Sequence, residues 1–187
     1  MKLLVLSDIH DHVWHLQSFL SALSDADVLI CCGDLCAPFV MGMLGREFPG
    51  DIHLVFGNND ADQFRITKIA GTFGQRVQIH GEIAALEING LKLGVNHFDQ
   101  IARDMAASGH YDLVCFGHNH LPEVSYQENC TLLNPGSVMG MKLVQGIPQA
   151  VSPTCAVLDT TKREIVFWEI GSDGLVSESG KHNISGK

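Results

Sequence analysis

Three short apolar runs lie in the first third of the chain, and each leads directly into polar residues. Residues 2–7, 28–32 and 52–56 are each short enough to be a buried β-strand. Stretches with the apolar spacing of an α-helix follow the first two runs, at residues 13–23 and 39–48. Strands that alternate with helices in this way predict an α/β fold.

The rest of the chain carries shorter runs of both kinds. Residues 83–88 and 91–96 flank Asn89-Gly90, a turn signal of β-hairpins, and together with residues 78–80 they predict antiparallel strands. The remaining predicted elements are helices at 61–69 and 100–107 and strands at 113–116, 124–126, 131–133, 155–158 and 165–170. This mixture predicts a mixed sheet system with helices on the outside.

Length and composition limit the organisation of the chain. With 187 residues, 45% of them hydrophobic, we predict a single domain over residues 1–170. Residues 171–187 are polar and lack apolar periodicity, so we predict a flexible tail there. The first apolar run is too short for a signal peptide or a membrane span, so the six cysteines are predicted to be reduced thiols in a cytoplasmic protein without membrane contact.

The charge of the chain restricts its partners. A formal net charge of −9, with only 12 lysines and arginines, argues against a protein that holds long nucleic acid by neutralising phosphates. Bound dications can reverse the field around a site while the surface stays acidic. A small phosphorylated substrate therefore remains compatible with this composition.

Residue types that bind metals recur where predicted strands end. Seven of them share this position: Asp8, His10, Asp34, Asn58, His97, His118 and His120. Because loops at the carboxyl ends of strands in open α/β sheets converge on one crevice, we expect these side chains to meet. The glycines before Asp34, Asn58 and His118 permit tight turns that bring the side chains inward. Oxygen and imidazole donors suit manganese, iron, cobalt, nickel or zinc, and the sequence alone does not choose among these metals.

The chain resembles the calcineurin-like metallophosphoesterases, most closely their small capless bacterial and archaeal phosphodiesterase branch. The resemblance covers about the first three quarters of the sequence. It is carried by Asp8-Ile9-His10, Gly33-Asp34, Gly57-Asn58-Asn59-Asp60, His97, Gly117-His118-Asn119-His120 and Asn134-Pro135-Gly136-Ser137. It implies a four-layer αββα sandwich, in which two mixed β-sheets are flanked by helices.

The resemblance also implies a role for each matched residue. One metal ion would be bound by Asp8, His10 and His120, and the other by Asn58, His97 and His118, with Asp34 as the bridge between them. The implied catalytic residues are Asp34, Asn58, Asn59 and His118. Two divalent ions about 3.5–4 Å apart can clamp a phosphate and lower the pKa of a shared water. The implied reaction is hydrolysis of a phosphoester by a metal-activated water.

Two positions depart from the family pattern. Asn59 stands where many relatives with phosphomonoesterase activity have a histidine that can protonate the leaving group. An amide cannot be that acid, although it can donate a hydrogen bond to a phosphoryl oxygen, so we predict phosphodiester or nucleotide-like substrates rather than unactivated monoesters. Phe98 stands where the family usually has glycine, which predicts either a narrower cleft or another path for the loop of His97.

Other polar residues near the motifs have simpler interpretations. Asp11 is predicted to cap the following helix. Cys31, Cys32 and Cys36 flank Asp34, but the first two would point to opposite faces of a strand, which favours core packing. The segment Asn134-Pro135-Gly136-Ser137 is predicted to be a turn that borders the site.

Other functions are compatible with parts of this pattern. The main alternative is a catalytically silent scaffold of the same fold that binds protein partners, as the related eukaryotic retromer subunit does. That relative lacks parts of the ligand set, whereas all seven positions here carry residues able to bind metal. A protein phosphatase or dinucleotide-polyphosphate hydrolase is disfavoured, because such enzymes usually show an arginine shortly after the motif aspartate. The oligomeric state, monomer or homo-oligomer, stays open.

Overall fold

The computed structural model describes residues 1–185, apart from the side chain of Leu143. In chain order its elements are β1 (Lys2–Leu6), α1 (Val13–Ala22), β2 (Val28–Cys31), α2 (Pro38–Glu47), β3 (Asp51–Leu54), α3 (Gln63–Gly71), a 3-10 helix (Gly74–Arg76), β4 (Val77–Ile79), β5 (Ile83–Ile88), β6 (Leu91–Asn96), α4 (Asp99–Ala107), β7 (Leu113–Cys115), β8 (Pro122–Gln127), β9 (Cys130–Pro135), β10 (Met141–Val144), β11 (Ile147–Ala150), β12 (Thr154–Asp159), β13 (Glu164–Ile170) and β14 (Val176–Asn183).

Two mixed sheets are built from these strands. The larger sheet has the order β14-β13-β12-β1-β2-β3-β4, in which β1 to β4 are parallel and β12 to β14 are antiparallel. The smaller sheet has the order β5-β6-β7-β9-β8, with β6, β7 and β9 parallel. The hairpin between β5 and β6 turns at Asn89-Gly90, where both residues have positive φ, as the sequence signal predicted.

The side chains of β1 show how the layers are assembled. Leu4 and Leu6 pack in a cluster with residues of α1, α2 and α3, whereas Leu3 and Val5 pack against the smaller sheet. Alternate side chains of a strand point to opposite faces, so this pattern buries both faces of the larger sheet. On the far side, α4 covers the smaller sheet. The predicted four-layer αββα sandwich of two mixed sheets flanked by helices is therefore confirmed.

Three parts of the structure differ from the sequence-based expectation. The strand predicted at residues 78–80 lies in the larger sheet and pairs parallel to β3, not antiparallel. The hairpin of β10 and β11 was not predicted, because its residues from Val144 to Ala150 are exposed and have no core-facing alternation. Among residues 1–185, no helix combines the length and apolar content needed to cross a membrane.

The prediction of a flexible tail from residue 171 is wrong for Val176–Asn183. These residues form β14, which pairs along its length with β13 at the edge of the larger sheet. Most of its side chains are exposed, so backbone hydrogen bonds to β13 hold the strand rather than an apolar face. Residues 186–187 of the predicted tail lie outside the described part of the chain, and the single domain over residues 1–170 stays a prediction.

Candidate metal centre

All seven predicted donor side chains meet at one edge of the paired sheets. They lie on loops that follow β1, β2, β3, β6 and β7. Asp34 occupies the middle of the group, since its Oδ2 lies 3.6 Å from His10 Nε2 and 3.3 Å from His97 Nε2. The convergence of loops at the carboxyl ends of parallel strands is the physical reason for this meeting.

One group of donors forms around Asp8, which is fully buried. Its Oδ1 lies 3.2 Å from His120 Nε2 and 3.7 Å from His10 Nε2. The two imidazole nitrogens are themselves 3.2 Å apart. The other carboxylate oxygen of Asp8 accepts a hydrogen bond of 3.0 Å from the backbone N–H of His118. Asp8 therefore joins the first and last metal-binding loops of the chain.

A second group forms around the amide oxygen of Asn58. This Oδ1 lies 3.1 Å from His97 Nε2 and 3.0 Å from His118 Nδ1. His97 is fully buried, whereas Asn58 is exposed at the surface of the site. Because Asp34 Oδ2 faces both His97 and His10, the Asp34 carboxylate lies between the two groups.

The protonation of the histidines shows that these groups suit cations. His97 Nδ1 lies 2.8 Å from the carbonyl oxygen of Cys32, and His120 Nδ1 faces the carbonyl oxygen of Met141. A carbonyl only accepts, so each Nδ1 carries a proton, and in the neutral form of the ring Nε2 has a lone pair available for a cation. Both lone pairs then face oxygen acceptors within the site. A buried metal ion satisfies such a set of acceptors, and Nδ1–H to carbonyl contacts are typical of histidine ligands.

The surroundings of Asp8 also indicate that these groups suit cations. Its buried Oδ1 has no hydrogen-bond partner among the described residues. Burial alone would raise the pKa of Asp8, but contacts with His10 and His120 lower it well below its usual range. Burial likewise would lower the pKa of His97, but the neighbouring Asp34 and Asp8 carboxylates raise it. The site concentrates negative charge, which protons and metal ions would compete to neutralise. The residues present therefore fit divalent metal ions.

Unusual backbone conformations concentrate at these loops. Five of the seven donor residues have positive φ values between 44° and 73°, namely Asp8, His10, Asp34, His118 and His120. Residues other than glycine rarely adopt such values, and they persist only where neighbouring structure holds them. Here the backbone N–H of Asp8 donates to Gly33 O at 3.1 Å, and that of His10 donates to Asp34 O at 3.0 Å. The loops therefore constrain one another.

The glycines before three of the donors have different physical roles. Gly33 has a φ of +97°, which a side chain would strain. At Gly57, a Cβ would lie 2.2 Å from Asp34 Oδ1, and at Gly117 a Cβ would lie 1.9 Å from Ser7 Oγ. The predicted tight turn accounts for Gly33, whereas Gly57 and Gly117 allow two metal-binding loops to approach each other.

Asp60 is a functional residue to which the sequence analysis assigned no role. Its carboxylate is buried and accepts backbone N–H groups from Asp34 at 2.9 Å, Gly57 at 2.8 Å and Cys36 at 2.8 Å. Burial raises the pKa of Asp60 despite these three donors, which act to lower it. Asp60 fixes the loops of Asp34 and Asn58 relative to each other. The sequence feature that could have indicated this role is its position at the end of the motif Gly57-Asn58-Asn59-Asp60.

The segment Asn134-Pro135-Gly136-Ser137 lies behind the donors. Asn134 Nδ2 donates to Gly117 O at 2.9 Å and to Asn119 Oδ1 at 2.8 Å. Ser137 Oγ donates to Asp8 O at 3.0 Å. Both side chains are fully buried. The predicted turn is wrong for Asn134 and Pro135, which are the last residues of β9. The segment supports the metal-binding loops from within the protein.

Phe98 does not divert the loop of His97. Its ring packs edge to face against the rings of His97 and His118, with centroids 5.1 Å and 5.0 Å away. His97 keeps its contacts with Asp34 and Asn58. Of the two outcomes predicted for Phe98, the different loop path is therefore wrong.

Two predictions about neighbouring residues need correction. Helix α1 is capped by His12, whose Nδ1 faces the backbone N–H of His15, and not by Asp11. Asp11 instead accepts a hydrogen bond of 2.8 Å from the backbone N–H of Ala37, because the loops after β1 and β2 lie side by side.

The cysteines divide between the core and the site. Cys31 and Cys32 are buried in clusters on opposite faces of the larger sheet, as predicted. Cys36 is only partly buried, and its Sγ lies 3.4 Å from His10 Nδ1. The prediction of core packing is therefore wrong for Cys36, which contacts the outer nitrogen of a proposed donor.

A cavity of about 690 Å³ opens over the donors. Most of its polar lining comes from the metal-binding loops, namely His10, Asp34, Asn58, Asn59, His118, Asn119 and His120, and Lys142 of β10 adds a cationic side chain. Such a volume suits a small-molecule substrate, since ligand pockets commonly measure about 300–1,000 Å³.

A comparison with protein families agrees with the fold and the donor set. The model of the calcineurin-like phosphoesterase superfamily domain matches residues 1–163. The chain therefore belongs to the calcineurin-like phosphoesterase superfamily. It is a phosphoric ester hydrolase of a class that uses divalent metal ions.

Individual relatives narrow this class. The chain is 30% identical to phosphodiesterase MJ0936 of Methanocaldococcus jannaschii over 171 residues, which span 88% of this chain and 96% of the relative. The structure of an archaeal phosphodiesterase has a TM-score of 0.80 and 26% identity, covering 90% of this chain and 99% of its own. The predicted resemblance to the small phosphodiesterase branch is confirmed.

A further structural neighbour has a different name. Vps29 of Entamoeba histolytica, solved in complex with zinc, has a TM-score of 0.68 and 19% identity, covering 98% of this chain and 99% of its own. At this identity the likeness shows the fold alone.

Proposed function

We propose that this chain hydrolyses small phosphodiesters with two divalent metal ions, manganese being the favoured metal. One ion would be held by Asp8, His10 and His120, the other by Asn58, His97 and His118, with Asp34 shared. The observation that carries this proposal is the meeting of imidazole nitrogens with buried oxygen acceptors in two adjacent groups. When bound, the two ions would supply Lewis-acid contacts to phosphate oxygens and make a water molecule more acidic.

Asn59 holds the bridging carboxylate. Its backbone N–H donates to Asp34 Oδ1 and its side-chain Nδ2 donates to Asp34 Oδ2, both at 2.8 Å. One of its two side-chain N–H groups is thereby committed to Asp34. The other can donate to a phosphoryl oxygen in the cavity that Asn59 lines. Asn59 thus orients Asp34 and offers one hydrogen bond to the substrate.

Lys142 on β10 is the one lining side chain outside the proposed donors, among the described residues, that carries an acidic proton. Every histidine, aspartate and glutamate of the described lining is also a proposed metal donor. Protonation of an alkoxide leaving group would therefore depend on Lys142 or on solvent. This supports diester or nucleotide-like substrates with leaving groups that need little protonation.

The proposal is tested with a chromogenic diester and its matching monoester. We expect purified protein, freed of metal and then supplied separately with manganese, iron, cobalt, nickel or zinc, to cleave bis(p-nitrophenyl) phosphate faster than p-nitrophenyl phosphate. Asp34→Asn should lower kcat/KM for the diester by more than about 100-fold, because it weakens both metal groups. Asp25→Asn is the matched control, since Asp25 is exposed and contacts Lys2 at the other end of β1.

The outcomes separate the competing functions. Unchanged activity of Asp34→Asn would contradict the bridging role, and a strong monoester preference would contradict the role given to Asn59. Stoichiometric binding of two ions without cleavage of either ester would favour the silent scaffold. The cytoplasmic location, with the described cysteines free, stays a prediction.

A further inference from the structure

The lining of the cavity over the donors has two chemically different parts. The metal-binding loops contribute polar side chains and β10 contributes the cationic Lys142, whereas Leu121, Met139, Met141 and Pro148 contribute apolar side chains. Leu121 and Pro148 are exposed, and the two methionines are partly exposed. These four residues, termed the apolar wall, lie beside the polar donor side chains, and their own side chains are open to the cavity.

The β10–β11 hairpin contributes Met141, Lys142 and Pro148 to the lining of this cavity. Pro148 pairs with Leu143, which lies two residues along β10 from Met141. Residues two apart on a strand share a face, so Met141 and Pro148 lie on the same side of the hairpin, and both line the cavity. Ile147 is adjacent to Pro148 and therefore belongs to the other face, where it is 63% exposed.

Backbone contacts hold the apolar wall at a set position relative to the donors. The N–H of Met139 donates to Asp8 O at 3.1 Å, and His120 Nδ1 donates to Met141 O. Across the base of the hairpin, Val151 N–H donates to Gly140 O at 3.0 Å. Two of the proposed metal donors thus contact the segment that carries both methionines. A phosphate at the metal centre would place its ester group within reach of the same segment.

We propose that the apolar wall is a binding site for a planar aromatic group, either an aryl or a nucleobase-like ring, attached to the substrate phosphate. Covering partly exposed apolar side chains is favourable. Methionine adapts its shape, and its sulfur makes favourable contacts with aromatic rings. The proposal rests on the proposed function, since the metal centre would hold the phosphate. The aromatic site adds to that function the chemical class of the group attached to the substrate phosphate.

Binding of inert analogues tests the apolar wall without turnover. Phenylphosphonate and methylphosphonate carry the same anionic group and differ only in the ring. Calorimetric titration of the manganese-loaded protein should give a Kd about tenfold lower for phenylphosphonate. Met141→Ala and Leu121→Ala should each reduce this preference to less than about threefold. Met141→Ala keeps the carbonyl group that accepts from His120. Ile147→Ala, on the other face of the hairpin, is the matched control and should keep the preference.

The result is decisive in either direction. Equal affinity for the two phosphonates, no binding of either, or a preference that persists in both cavity variants would overturn the inference. A kinetic experiment tests the same preference with bis(p-nitrophenyl) phosphate and methyl p-nitrophenyl phosphate, two diesters that share a leaving group. The ratio of kcat/KM for the diaryl ester to kcat/KM for the methyl ester should fall in Met141→Ala and Leu121→Ala. A ring preference in binding with no hydrolysis of either ester would contradict the proposed function and support the aromatic site.

Discussion

The metal-binding loops and the β10–β11 hairpin border the same cavity but are stabilised in opposite ways. The loops are partly buried, carry strained backbone and are joined by hydrogen bonds that Asp60 accepts and that Asn59 and Asn134 donate. The hairpin is exposed from Val144 to Ala150 and makes backbone contacts with neighbouring segments mainly at its base. Donor geometry is thus held by many mutual contacts, whereas Met141 and Pro148 of the proposed aromatic site lie on an element that can change at little cost to stability.

The largest expected effect comes from Gly117→Ala. A Cβ there would lie 1.9 Å from Ser7 Oγ and 2.7 Å from Asp8 Oδ2, so the loops of Asp8 and His118 must separate. We expect the free energy of unfolding in urea to fall by about 3 kcal/mol, with loss of manganese binding. Gly71→Ala is the control, because open space surrounds Gly71 at the end of α3. Equal stability of the two variants would show that the approach of the loops is unimportant.

Metal addition should have the next largest effect. The free energy of unfolding should rise by about 2.7 kcal/mol when free manganese is 100 times its Kd, because the acceptors around Asp8 and Asn58 gain a cation. Thermal unfolding with and without manganese measures this change. A similar rise in His97→Ala would mean that the ions bind elsewhere.

Asp60→Asn should destabilise the protein by about 2 kcal/mol. An amide has one acceptor oxygen and would turn an N–H group toward backbone donors that now face the second carboxylate oxygen. The manganese affinity should fall as well, since Asp34 and Asn58 lose their common support. Asp62→Asn is the matched control, because asparagine caps α3 as well as aspartate does. Similar losses in both variants would refute the support role of Asp60.

The smallest effect is expected for Ile147→Ala in the hairpin. Its side chain is 63% exposed, so the free energy of unfolding should change by less than about 0.5 kcal/mol. Urea unfolding monitored by circular dichroism is sufficient to measure it. A loss comparable to that of Asp60→Asn would mean that the hairpin is as tightly integrated as the metal-binding loops, and the contrast between the two regions would disappear.

Much of the donor set could be predicted because its signals are local. Asp8, Asp34 and Asn58 each follow a recognisable apolar strand, and parallel strands bring their carboxyl ends to one edge. The helices α1 to α4 were also predicted from apolar spacing, within a few residues of their observed ends. The N-cap of α1 was not predicted correctly, because the Asp11 carboxylate accepts a hydrogen bond from Ala37 on another loop and does not cap the helix.

By itself, the sequence determined an α/β fold with helices outside a mixed sheet system and the identity of the residues at the strand ends, since both depend on periodicity and neighbouring residues. The four αββα layers were implied by the family resemblance. Only the tertiary structure decided that Asp60 joins two loops, that β14 pairs with β13, and that Met141 faces the cavity of the donors. These features depend on backbone hydrogen bonds and packing between distant segments. Exposed strands and buried carboxylates of this kind leave no periodic pattern along the chain.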